Sequence, residues 1–149
     1  MNAWQERFAK KVETVRLASI DRFEHVAKDV INDVFAEFQE FMAQQGVHTS
    51  APMSKKGLRT LKFSISENTY VLLTFRMAGI EHCDAQCEFF VPGHEKISPI
   101  SERIELGSAD PKAIRRVFEE SLDGLMDAYV ESLQSRDIIQ DEPVAAGRK

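Results

Sequence analysis

From Trp4 to about Gln45 apolar residues recur every three or four positions with no Pro or Gly among them, which predicts one amphipathic helix over 3–45. One row runs Phe8, Val12, Val15, Ser19, Phe23, Val26, Val30, Val34, Glu37, Phe41, a 4-4-3 spacing that repeats every 11 residues and keeps the stripe on one side of a nearly straight rod. A second row, Leu17, Ile20, Ile31, Phe35, Phe38 and Met42, widens the apolar face. At about 1.5 Å per residue the rod would be about 60 Å long, whereas a compact domain of this size is only about 30–40 Å across. Either the helix breaks near 19–21, where Asp21 and Glu24 have capping-box spacing, or it projects and pairs with another chain. Pairing is the preferred expectation. Gly46 stops the helix, and 47–57, with His48, Pro52 and Lys55–Lys56, reads as a loop.

The period then changes to two. Leu61, Phe63 and Ile65 alternate with Thr60, Lys62 and Ser64, and Tyr70 to Met77 is almost continuously apolar, as in a central strand. Across Ile80 to Val91, the residues Cys83, Ala85, Cys87, Phe89 and Val91 share one face, while His82, Asp84, Gln86 and Glu88 share the other. A fourth strand is expected over about Ser98 to Leu106, with Pro99 suited to its first residue or to an edge. Asp110 as N-cap and Pro111 at N1 open a last helix through Ile114, Val117, Phe118, Leu122, Leu125, Met126, Tyr129 and Leu133. Gly124 in its middle suggests that another backbone passes close. The expected fold is α+β in the order α-β-β-β-β-α: a long N-terminal amphipathic helix, a four-stranded antiparallel meander and a C-terminal helix packed on the sheet. It forms a single domain over 1–135 with a loose tail over 136–149.

Composition changes this picture little. Of 149 residues 43% are hydrophobic and 29% charged, a globular balance, and no apolar run is long enough for a membrane span. Two cysteines are too few for a disulfide framework and the first residues carry no signal-peptide pattern, so a reducing, cytoplasmic setting is expected. Charge is uneven: residues 47–79 carry five basic and one acidic side chain (+4), and residues 80–110 two basic and seven acidic (−5).

Candidate chemistry is thin. His82, Asp84 and Glu88 could supply a base and an orienting carboxylate, but a solvated strand face has the same composition. Adding His94 gives no recognised metal-ligand spacing, so no metal and no cofactor are expected. Cys83 and Cys87 share a strand face about 13 Å apart, too far to bond each other, and read as buried small hydrophobes. Lys55, Lys56, Arg59 and Lys62 form the one basic cluster and are the candidates for nucleic acid or phosphate, although the −5 segment can pair with them across the sheet.

The acidic α-β-β-β-α outline is similar, in architecture alone, to type III secretion chaperones, which are dimeric, non-enzymatic binders of secreted proteins; the likeness implies a dimer and a protein ligand. The helix length points the same way. A sheet about 20 Å long cannot cover a helix three times its length, so an interaction domain is expected, homodimeric through Phe8, Val12, Val15 and Phe23. A small enzyme or ligand-binding protein using His82, Asp84 and Glu88 is the alternative.

Overall fold

The computed structural model describes residues 2–93 and 99–139; His94, Ser98 and the tail beyond 139 lie outside the described residues. Helix α1 (Ala3–Val26) runs without interruption through 19–21, so the break weighed there as the alternative to projection does not occur. Its capping box sits at the start, where the Asn2 side chain accepts from the Gln5 backbone N–H and the Gln5 side chain accepts from that of Asn2. A π turn (Ala27–Ile31) joins α1 to α2 (Asn32–Gln44), and Gly46, at φ 76°, ends the rod.

The buried positions account for the π turn. Ser19, Phe23, Ala27, Ile31 and Phe35 are all buried, each four residues from the last. In an α-helix such a row drifts by about 40° around the axis at every step. A π turn, bonded i→i+5, holds more residues per turn and rotates the row back. The fold therefore uses the 11-residue row only in part: Ser19, Phe23 and Val34 are buried, but between Phe23 and Val34 it is Ala27 and Ile31 that are fully buried, whereas Val26 and Val30 only pack against the core from its margin.

Five strands follow, not four: β1 (His48–Lys55), β2 (Leu58–Ser66), β3 (Thr69–Ala78), β4 (His82–Phe90) and β5 (Ile100–Glu105). They form an antiparallel meander in sequence order. The segment expected to be a loop is the edge strand β1, which hides its period because most of its side chains are exposed. Pro52 falls in the register shift between Ser50 and Met53, where the ladder is already interrupted and a missing N–H costs nothing. Helix α3 (Pro111–Ser135) starts as its sequence demands, with the Asp110 carboxylate accepting from Ala113 N–H at 2.9 Å.

The rod and α3 cover one face of the sheet. Leu61, Phe63, Val71, Leu73, Phe75, Cys83, Ala85 and Cys87 point into that layer and are at most 2% exposed. Phe118 is the hub: its ring lies 5.0–6.3 Å from those of Phe35, Phe38, Phe63 and Phe75, which accounts for much of the chain's phenylalanine. What approaches Gly124 is a side chain, not a backbone: a Cβ there would stand 2.7 Å from Cζ of Phe89. On the other face of the sheet His82 and Asp84 are half-buried and Gln86, Glu88 and Phe90 exposed. Among the described residues no helix is long and apolar enough to cross a membrane.

Candidate functional site

The sheet reaches only part of the rod. Every residue from Asn2 to Leu17 is exposed, and burial begins at Ser19, 3% exposed, whose hydroxyl donates to the Val15 carbonyl. The first four turns of α1 thus stand clear of the domain as an arm about 22 Å long. The arm carries Trp4, Phe8, Val12 and Val15, exposed by 60, 54, 50 and 54%. At about 100° per residue these four fall within a sector about 80° wide, the width of a helix-pairing seam. The Trp4 and Phe8 rings stack on each other at 5.3 Å. Arg7 and Lys11 flank the stripe on one side and Arg16 on the other. Arg16 also binds Glu13, whose carboxyl that hydrogen bond holds below the usual range. Leu17, 54% exposed, points off the stripe, and nothing in the structure explains its exposure.

Phe23 does not belong with this surface. It is 0% exposed within the domain's own core, so the stripe open to a partner ends at Val15. Where the arm meets the sheet, Glu24 takes bonds from both terminal nitrogens of Arg59, at 2.6 and 3.1 Å, and from the Gly57 N–H at 3.1 Å. The two side chains are only 19% and 10% exposed. Arg59 also donates to the Lys55 and Leu58 carbonyls, at 2.7 and 2.9 Å. Gly57 adopts φ 80°, a conformation open to glycine, and presents its N–H to Glu24 while its carbonyl accepts from Met77. Arg59 is therefore a structural clamp rather than an exposed phosphate ligand.

The rest of the basic cluster does not converge. Lys55 and Lys56 are exposed around the β1–β2 turn, and Lys62 projects from the opposite face of the sheet, its ammonium 4.3 Å from the centre of the Tyr70 ring. His82, Asp84 and Glu88 follow one another along the open sheet face. Asp84 accepts from Arg103 at 3.0 Å, and the shallow cleft beside it, about 280 Å³, is lined by neither His82 nor Glu88. Cys83 and Cys87 face the core as free thiols, each pushed up to about 11, by burial first; Asp84 adds to the rise at Cys83, while at Cys87 Ser121 opposes it and Glu88 adds. Among the described residues no three His, Cys, Asp or Glu side chains converge as metal ligands.

One further concavity lies at the other end of the rod. Phe38, Phe41, Met42 and Leu122 line an open groove of about 550 Å³ between α2 and α3, rimmed by Glu37, Arg115, Glu119 and Asp123. Arg115 is engaged by Glu37 through two bonds of 3.0 Å. Phe41 remains 54% exposed. Sequence reasoning missed this groove because its walls lie about 80 residues apart in the chain, although Phe41 and Met42 already stood in the apolar rows of the helix.

The chain matches no protein-family model, and neither a curated protein sequence nor a solved structure shows significant similarity to it.

Proposed function

We propose that this protein is a non-enzymatic interaction domain, an adaptor or chaperone-like binder, that dimerises through its projecting N-terminal helix. The observation that carries this reading is the arm itself: four exposed turns of helix with Trp4, Phe8, Val12 and Val15 aligned on one side. In a monomer that stripe gains nothing from order, because an isolated helix of this length is marginal in water. Against a second helix the same four side chains leave water, each contributing about 1.5–3 kcal/mol when fully buried. The open sheet face supports an enzyme less well, since its one engaged carboxylate, Asp84, is held by Arg103.

The test is the mass of the full chain in solution at micromolar concentration, by sedimentation or light scattering. A dimer is expected. Val15→Glu should shift it to monomer and leave the circular dichroism of the folded domain unchanged, because the Val15 side chain is exposed and lies outside the domain core. A wild-type chain that stays monomeric across the micromolar range would overturn the proposal.

A further inference from the structure

The arm needs an acceptor, and another arm is a poor one. Residues 2–17 hold four basic side chains (Arg7, Lys10, Lys11, Arg16) against two acidic ones (Glu6, Glu13), and Lys11 and Arg16 border the stripe on its two sides. With Arg16 paired to Glu13, the uncompensated charge beside the stripe is that of Arg7 and Lys11, and two arms laid antiparallel, stripe to stripe, would bring these like charges together along that margin, which is unfavourable where the seam excludes water.

The groove between α2 and α3 has the opposite character. Its floor is apolar, and once Glu37 and Arg115 are set aside as a neutral pair, its rim keeps Glu119 and Asp123. Both carboxylates are exposed. The dimensions are comparable: Trp4 to Val15 rises about 16 Å along the arm and Arg115 to Asp123 about 12 Å along the groove wall, so the stripe spans the groove and overhangs it by less than one turn. Phe41, exposed on the floor, gives an aromatic side chain for Phe8 or Trp4 to meet.

We infer that the arm of one copy lies in the α2–α3 groove of a second copy, Trp4, Phe8, Val12 and Val15 on Phe38, Phe41, Met42 and Leu122, with Lys11 and Arg16 against Glu119 and Asp123. The exchange is reciprocal about a twofold axis, so each subunit gives one arm and receives one. This inference rests on the proposed dimerisation and adds to it the acceptor surface.

Two charge-reversed proteins test it: an arm variant, Lys11→Glu with Arg16→Glu, and a groove variant, Glu119→Lys with Asp123→Lys. All four positions are on the surface, and circular dichroism checks that each variant stays folded. Each alone is expected to be monomeric at a concentration where the wild type is dimeric. Mixed one to one they should regain the dimer mass, because each reversed arm then faces a reversed groove and each native arm a native one. Raising the salt concentration should weaken the wild-type dimer. A groove variant that remains dimeric while the arm variant falls apart overturns this inference and leaves the proposed dimerisation standing, with arms pairing to each other. A monomeric wild type overturns both.

Discussion

Glu24→Gln is the sharpest probe of how the arm is held to the domain. The substitution keeps shape and volume but removes the charge that three donors share: both terminal nitrogens of Arg59 and the N–H of Gly57. Glutamine offers one acceptor oxygen in place of two, and its amide nitrogen must face either the guanidinium or the glycine N–H. Breaking a buried ion pair costs about 3–5 kcal/mol. Here the Glu24 side chain keeps 19% of its exposure and Arg59 retains the Lys55 and Leu58 carbonyls, so the expected loss is smaller, about 2–4 kcal/mol. For a chain of this size that lowers the thermal midpoint by roughly 4–16 °C. The matched control is Glu37→Gln, which removes an equally bidentate bond to Arg115 between partners that are 51% and 40% exposed, and should leave the midpoint nearly unmoved. The effect also has a sign in pH. Desolvation pushes the Glu24 carboxyl up, but the hydrogen bonds from Arg59 and Gly57, with the charges of Arg59 and Lys28, outweigh it and leave it below its ordinary value in the folded state. Such a group stabilises the fold above its unfolded pKa, and the contribution disappears as pH falls through the folded pKa. Urea unfolding of both proteins should therefore show a gap that is full at neutral pH and closes progressively below about pH 4. If Glu24→Gln loses no more stability than Glu37→Gln, burial is not what gives this clamp its strength, and the reasoning fails.

Other substitutions mark where the domain ends and the arm begins. Phe23→Ala empties a fully buried site and should cost about 3–5 kcal/mol in urea unfolding, whereas Val12→Glu, about two turns before the first buried residue, Ser19, should change the stability of the monomeric domain by less than about 0.5 kcal/mol yet abolish association. Gly124→Ala gains about 1 kcal/mol of helix propensity but drives a methyl to within 2.7 Å of the Phe89 ring, an overpacking worth about 1–3 kcal/mol, so a net loss is expected; adding Phe89→Leu should recover it, and a stabilised single variant would refute the contact. Cys83 and Cys87, with thiols raised to about 11, should resist alkylation at neutral pH until the protein unfolds, and native-state labelling faster than unfolding would contradict their placement.

Legibility followed the number of neighbours a residue has. Strands β2 to β4 and helix α3 were readable because each buries one face against a single layer, which stamps a clean period on the sequence, and because Asp110 and Pro111 mark a helix start without tertiary help. Strand β1 was not: an edge strand with one hydrogen-bonded neighbour and mostly solvated side chains leaves no alternation, and Pro52 made it look like a loop. The π turn was hidden by a near-degeneracy, since Val26 and Val30 lie one residue from Ala27 and Ile31 and either pair continues an apolar row from Phe23. Arg59 could have been placed, being in phase with Leu61 and Phe63 and so on the covered face, and Glu24 was the carboxylate to seek for it. The Asn2 and Gln5 capping pair was equally plain at the head of α1. No spacing within one element could have revealed the α2–α3 groove, which exists only after the chain has closed on itself.

The two halves of the rod also differ in a way that length alone does not require. From Ser19 onward its apolar face is wide, with residues such as Val34 and Phe35 side by side, because it packs on a sheet and on α3 at once. Before Ser19 the large apolar residues, Leu17 excepted, narrow to a single file flanked by charge, the pattern of a helix that meets one groove or one other helix. An overhang without a partner would be under no pressure to keep Trp4, Phe8, Val12 and Val15 in register. It would be better served by a polar surface, since exposed aromatic residues invite unspecific association. The capping box at Asn2 fixes the far end of the arm, and the Glu24–Arg59 clamp fixes its root. A stiff, narrow, capped arm presents its stripe at a defined angle and distance from the domain, which lowers the ordering cost that binding would otherwise carry.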